Sequence, residues 1–214
     1  MDTHNIGTLT ELRGVYGTLP ENSLATHIVF PRLHPHHRAF IALSPFLVIA
    51  SADRGGAPDV SPRGDVPGFV KILDDRSLVV PDRPGNKKLV TLTNILENPA
   101  VALIFFVPGR TESLRVNGPV QITTDPDLLR QLAAYGKLPR SALVVAVELA
   151  WLHCGRALIR SRLWEPDAQV AEGALPSLGT MIAEEIGGIE AGETEARLER
   201  ANTALLWGEH APSP

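Results

Sequence analysis

FLVIASADRGGAPDVS, residues 46–61, is the stretch that decides the fold class. The apolar run Phe46-Leu47-Val48-Ile49-Ala50 has the length of a strand, Asp53-Arg54-Gly55-Gly56 is a cluster of turn formers, and Asp59-Val60-Ser61 resumes beyond it, so the stretch predicts a β-hairpin. Strand signals continue at 68–73 and 77–81, with Asp74-Asp75 supplying the reversal, and at 100–107, 113–123 and 142–152, the last long strand. One helix interrupts them. It is expected to begin near Asn86, to carry Leu89, Leu92, Ile95 and Leu96 at helical spacing, and to end before Asn98-Pro99. Asp125-Pro126 opens a short helix through Leu132.

Working outward, residues 9–44 read as two or three helices. Leu12, Val15 and Tyr16 share a face, and a run at 38–43 follows a His/Pro start and stops at Ser44-Pro45. After Trp164 a segment containing Pro and Gly leads to helical patterns at 175–186 and 193–207, the second with an apolar stripe of Leu198, Ala201, Leu205 and Leu206. This tail is expected to pack on the barrel or on a partner subunit. Six or seven strands with a single mid-chain helix predict a mainly β, α+β architecture with flanking helices, an antiparallel barrel rather than a doubly wound sheet. There is no internal repeat.

At 214 residues and 44% hydrophobic, the chain can bury one substantial core, and two full domains are not expected. The formal charge of −4 comes without any dense run of Lys and Arg, which argues against nucleic acid and implies that a basic cluster serves something small. The single cysteine, Cys154, excludes an internal disulfide framework and a two-thiolate zinc site, and suits a reducing cytoplasm. The start, Met1-Asp2-Thr3-His4, has no basic segment followed by an apolar run, and no uncharged stretch reaches membrane-spanning length. The expectation is a cytoplasmic protein, neither exported nor inserted.

Three segments carry chemistry. In Pro81-Asp82-Arg83-Pro84-Gly85-Asn86-Lys87-Lys88, Asn86 is a suitable N-cap, which places Lys87 and Lys88 in the first turn of the helix, where the macrodipole disfavours cations. A bound anion resolves that conflict, with backbone N–H groups, both lysines and Arg83 around a phosphate; a solvated surface turn is the alternative. In Asp59-Val60-Ser61-Pro62-Arg63-Gly64-Asp65, alternation puts Ser61 and Arg63 on one face, and Pro62 marks the strand as an edge or a bulge. In the segment 153–164, Arg160, Ser161 and Trp164 can approach a planar aromatic ligand and its phosphate, or the tryptophan packs inward while the arginines reach outward. A metal site built from His34, His36, His37 and the His153-Cys154 pair matches no common ligand spacing, and Cys154, at the end of an apolar strand, is expected to be buried and inert.

The segments 59–65 and 81–89, with Asn94-Ile95-Leu96-Glu97-Asn98-Pro99, Leu114-Arg115-Val116-Asn117-Gly118 and His153-Cys154-Gly155-Arg156-Ala157, resemble in order and spacing an FMN-binding branch of the pyridoxamine 5′-phosphate oxidase-like family. The resemblance covers roughly residues 10–210. It implies a split β-barrel homodimer with FMN between subunits: Arg63 and Asn86-Lys87-Lys88 grip the phosphate, and Ser61, Val80, Pro81 and Asp82 lie beside the isoalloxazine. Arg115, Arg160, Ser161 and Trp164 close the site from across the dimer. It divides the chain into an N-terminal helical segment at 1–44, a split-barrel FMN-binding domain at 45–164 and a helical tail at 165–214. The chain departs from the true oxidases, which carry an Arg-x-His substrate pair after their C-terminal tryptophan. Its only Arg-x-His is Arg32-Leu33-His34, near the N-terminus, so pyridoxine phosphate oxidation is not expected. The function implied is an FMN-dependent oxidoreductase acting on an unidentified small molecule. The alternatives are a barrel binding a deazaflavin or haem, and a flavin-binding sensor or store without turnover. A bound flavin performs the electron transfer itself, which is consistent with the lack of a convincing Ser/His/Asp or paired-carboxylate motif.

Overall fold

The structure, a computed structural model, describes residues 4–203 and 206. The N-terminal segment forms three helices, α1 (Leu9–Tyr16), α2 (Leu24–His27) and α3 (Pro35–Leu43). The histidines at the start of α3 serve as its cap: Pro35 takes the first helical position, the His36 N–H donates to His34 Nδ1, and the His34 N–H donates to Nδ1 of the buried His37. Burial and the neighbouring His34 and His36 hold the His37 imidazole below its ordinary pKa.

The hairpin is present as β1 (Phe46–Ala52) and β2 (Pro58–Gly64), paired in register from Phe46 opposite Gly64 to Ala52 opposite Pro58. β3 (Lys71–Ile72), β4 (Ser77–Asp82), α4 (Val90–Glu97), β5 (Ala100–Phe106), β6 (Ser113–Thr123), α5 (Pro126–Gln131), β7 (Ser141–Ala146) and β8 (Leu149–His153) follow. All pairings are antiparallel, in the order β2-β1-β5-β6-β7-β4-β3, with β8 also on β6. Leu47, Ile49, Leu103, Phe105, Leu114, Val116, Leu143 and Val145, each at most 1% exposed, fill the interior. Every such side chain contributes about 1.5–3 kcal/mol by leaving water. The architecture is an antiparallel split β-barrel with flanking helices.

The expected strand at 142–152 is two strands. β8 pairs with residues 113–117 of β6, whereas β7 pairs with 120–123 of the same edge, one residue out of step, so Val147 and Glu148 form a break at which the sheet bends. Val147 N–H donates to Arg76 O and Glu148 N–H to Asn117 O, which keeps the break hydrogen-bonded. The one interruption of the apolar run is Glu148, a single polar residue of the kind an unbroken half-exposed strand also carries, which is why the break cannot be read from composition. The expected strand at 68–73 is likewise reduced to two residues of β3.

After α6 (Arg156–Ser161) and a short turn of helix at Pro166–Ala168, the tail forms α7 (Leu178–Ile186) and α8 (Ala191–Thr203). These pack on each other, with Glu195 accepting from the Gly179 N–H at 2.9 Å. Leu198 is half-buried and Ala201 exposed, while Leu205 and the end of the expected helix lie outside the described residues. Cys154 is exposed rather than buried, because the chain leaves the sheet one residue earlier, at His153. Among the described residues no helix is long and apolar enough to cross a membrane.

Gly118 is the pivot of the bend. A Cβ there would lie 1.8 Å from the carbonyl oxygen of Ala146, on backbone that cannot yield without separating β6 from β7. Gly118→Ala is therefore expected to lower stability by about 2 kcal/mol or more, measured by urea denaturation.

Candidate functional site

Alternation along β2 and just beyond it makes one face of a functional strand. Asp59, Ser61, Arg63 and Asp65 are half-buried, while Pro58, Val60, Pro62 and Gly64 are exposed. β2 is also the edge of the sheet, as Pro62 requires. The half-buried face looks into a cleft of about 730 Å³, whose opposite wall is the end of β4 with the loop that follows it and the start of α4. A cleft of this size is in the usual range for a small-molecule site.

β2 and β4 are not hydrogen-bonded partners, so the cleft is the open seam of the barrel. Two ion pairs cross it. Arg83 Nε donates to Asp65 Oδ2 at 2.6 Å, and Arg63 Nη2 lies 3.9 Å from Asp82 Oδ1. Arg63 is further fixed on its own strand, where its Nη1 donates to Ser61 Oγ and, at 2.9 Å, to Pro62 O. Its Nε is buried in the cleft wall with no acceptor among the described residues. Burial pushes the Asp82 carboxyl above its ordinary pKa, against the opposing pull of the Arg63 guanidinium.

The loop between β4 and α4 differs from the expected one. α4 begins at Val90, and its N-cap is Leu89, in the left-handed conformation with φ 57° and no side-chain hydrogen bond. Asn86 is therefore not the cap. Its Oδ1 instead accepts the Lys88 N–H at 3.0 Å, closing an Asx turn inside the loop. Lys87, with φ 60°, and Lys88 precede the helix rather than occupying its first turn, so the expected conflict with the macrodipole does not arise. Left-handed conformations at Lys87 and Leu89, neither a glycine, concentrate backbone strain in this loop. Of the apolar residues expected on the helix, Leu89 is exposed at the cap, and Ile95 is the one that enters the core.

The result is nevertheless an anion-compatible corner. Val90, Thr91 and Leu92, the uncapped first residues of α4, border the cleft together with Asn86, Lys88 and Arg63. Arg63, Arg83 and Lys88 are matched in the lining by Asp59, Asp65 and Asp82. The Asp65 side chain, though not its backbone, is fully buried against Arg83, and Asp59 accepts from Thr91 Oγ1 at 3.2 Å. That bond, and Asn94 Nδ2 to Ser51 Oγ at 3.1 Å, tie α4 to the hairpin. Asp59, Thr91 and Asn94 were missed as a set because their partners are distant in the chain. The one available signal was the polar pair Thr91 and Asn94, three residues apart on an apolar helix.

Of the expected residues, Ser61, Arg63, Pro81, Asp82, Asn86 and Lys88 come together at the cleft. Val80 does not border it. It is wholly buried, because alternation along β4 turns it into the core with Leu78. Lys87 is exposed and outside the lining. Arg115 lies over the Trp151 ring, 4.8 Å from its centroid; Trp164 Nε1 donates to Arg110 O; Ser161 Oγ donates to Leu158 O; and Arg160 is exposed. None of these four reaches the cleft of its own chain.

A search of the curated proteins finds no match. Among solved structures, the chain is similar to HupZ from Group A Streptococcus, at 16% identity over 56% of this chain and 93% of that one, with a TM-score of 0.45. It is similar to General Stress Protein 26 from Bacillus anthracis, at 18% over 55% and 93%, TM-score 0.40. It also matches HutZ, the haem storage protein from Vibrio cholerae, at 17% over 57% and 94%, TM-score 0.41. At these values the likenesses carry no argument about function. The family model for pyridoxamine 5′-phosphate oxidase matches residues 33–154, more than half of the chain and all eight strands. The chain thus belongs to the pyridoxamine 5′-phosphate oxidase family.

Proposed function

We propose that the cleft binds FMN and that the protein is an FMN-dependent oxidoreductase acting on a small molecule. The observation that carries this reading is the buried Nε of Arg63, which has no acceptor among the described residues and belongs to a side chain bordering the same cleft as Lys88 and the uncapped start of α4. Buried donors are almost always satisfied, and a phosphate supplies the missing acceptor. Arg63 and Lys88 then pair with the phosphate oxygens, and the first N–H groups of α4 donate to them. Ser61, Pro81 and Asp82 wall the space beside the ring, and the loop excludes water from one side. When bound, the flavin supplies the electron transfer, and the protein's part is placement and shielding.

The open seam leaves the other side of the ligand to be covered. In a homodimer, Arg115, Arg160, Ser161 and Trp164 of the second chain provide that cover, which accounts for their lying away from the cleft of their own chain. The dimer forms part of the proposal.

The test begins with the purified protein's absorption spectrum and the mass of any co-purifying cofactor. A flavin spectrum, with reduction and reoxidation by some donor and acceptor, is expected. A deazaflavin or haem spectrum replaces the reading with that cofactor, and bound flavin that no acceptor reoxidises at a useful rate makes the protein a store or sensor. A colourless protein that ignores added FMN overturns it. Arg63→Ala and Lys88→Ala are each expected to weaken FMN binding by about tenfold or more, the scale of a charge-assisted hydrogen bond. Lys87→Ala should leave it nearly unchanged, as followed by quenching of flavin fluorescence.

Asp82 gives a pH dependence. A phosphate brought beside Arg63 adds negative charge close to a carboxyl whose pKa burial already raises, so binding favours the protonated form. FMN affinity should therefore rise as pH falls toward the carboxylate range. Asp82→Asn should bind severalfold more tightly at neutral pH and lose that part of the pH dependence.

A further inference from the structure

Resting on that reading of the cleft, we propose that Asp65 is a positioning residue: through Arg83 it latches the 83–89 loop so that Asn86 and Lys88 face the ligand. Arg83 is the residue at which β4 becomes the loop, and its guanidinium joins three parts of the chain. Nε donates to Asp65 Oδ2 at 2.6 Å, just past the end of β2, and Nη2 donates at 2.7 Å to the carbonyl of Leu132, which closes α5 and is itself buried.

Asp65 is built for this task. Its side chain is fully buried, its Oδ1 accepts the Val66 N–H at 2.6 Å, and its own N–H donates to Pro45 O at 3.0 Å. The backbone is thus fixed to the turn between α3 and β1 and the carboxylate to the N–H that follows it, and Arg83 is held against a point anchored twice. Among the described residues, the loop beyond Arg83 has little else to hold it. Its internal hydrogen bond is the Asn86 to Lys88 turn, and Lys87 and Leu89 adopt left-handed conformations that only surrounding structure sustains. The latch on one side and α4 on the other define where Lys88 stands. Arg83 therefore acts through Lys88 rather than as a phosphate ligand, the role expected of it from its position among the basic residues of the segment.

The latch differs in kind from the Arg63–Asp82 pair. At 3.9 Å that pair is loose, with each side chain about one-fifth exposed, and Arg63 still has a donor to offer a ligand. One seam pair sets the geometry and the other takes part in binding.

Two measurements test this in Asp65→Asn and, should that variant fold poorly, in Arg83→Lys, whose single ammonium cannot span Asp65 and Leu132 together. The first needs no ligand. Backbone nitrogen relaxation is expected to show increased motion at residues 85–89 with β1 and β5 unchanged; an unchanged loop overturns the proposal. The second is a double-mutant cycle on FMN affinity. Lys88→Ala should cost about tenfold or more in the native background and less than about twofold in the Asp65→Asn background, because a displaced lysine has little left to lose. An equal cost in both backgrounds overturns the latch and leaves Asp65 as a stabilising residue alone. If the native protein does not bind FMN, the flavin reading fails, while the relaxation result still decides the latch.

Discussion

The site depends on two arginine–aspartate contacts across a seam that has no backbone hydrogen bonds. A β-barrel normally closes by pairing its first and last strands, which removes the unsatisfied edges. Here the edge strand β2 and the end of β4 face each other across a cleft, and side-chain charge replaces the missing ladder. Buried ion pairs are weak net stabilisers, because desolvation offsets most of the Coulomb attraction, yet removing one partner strands the other at a cost of about 3–5 kcal/mol. Such a contact serves better to define a geometry than to add stability, and in this seam the geometry is that of a ligand site.

The bend in the sheet prepares that seam. β6 is the long central strand, and the one-residue slip between β7 and β8 along its edge turns the second half of the sheet out of the plane of the first. Gly118 sits at the slip because only a residue without Cβ tolerates the Ala146 carbonyl at that distance. The strands on the far side of the bend, β4 and β3, are thereby brought round toward β2. A glycine outside the cleft and two salt bridges across it thus belong to one device, the first curving the sheet and the second fixing the width of the gap.

Among the described residues, charge in the cleft is balanced before any ligand arrives: three cations face three carboxylates. An anionic ligand therefore competes for partners rather than meeting bare positive charge. The carboxylates are unequal. Asp65 is fully buried against Arg83 and Asp59 is bonded to Thr91, which leaves Asp82, with its raised pKa and a distant arginine, as the group that can yield by taking a proton. The placement of carboxylates, as much as of basic groups, shapes the affinity of the site.

Much of this was legible in the residues themselves. The hairpin that begins at Phe46, the edge or bulge character of the Pro62 segment and the shared face of Ser61 and Arg63 follow from period-two alternation and turn chemistry, which act over a few residues and leave a local trace. The motif resemblance carried the family. What local sequence did not determine was anything set by residues meeting from afar. The helix was expected to start at Asn86 because Asn is a good cap, but burial of Ile95 and the bonds of Thr91 and Asn94 to the hairpin place its start at Val90. The long strand at 142–152 was read as unbroken because a single polar residue, Glu148, is no signal against a strand, and the slip beside it is imposed only by the pairing with β6. Arg83 and Asp65 were each in view, but their contact, eighteen residues apart and across the seam, exists only once the sheet has curved. Sequence determined the elements and the faces they present, whose causes are local; tertiary structure alone decided which charges meet, because that depends on the curvature of the whole sheet.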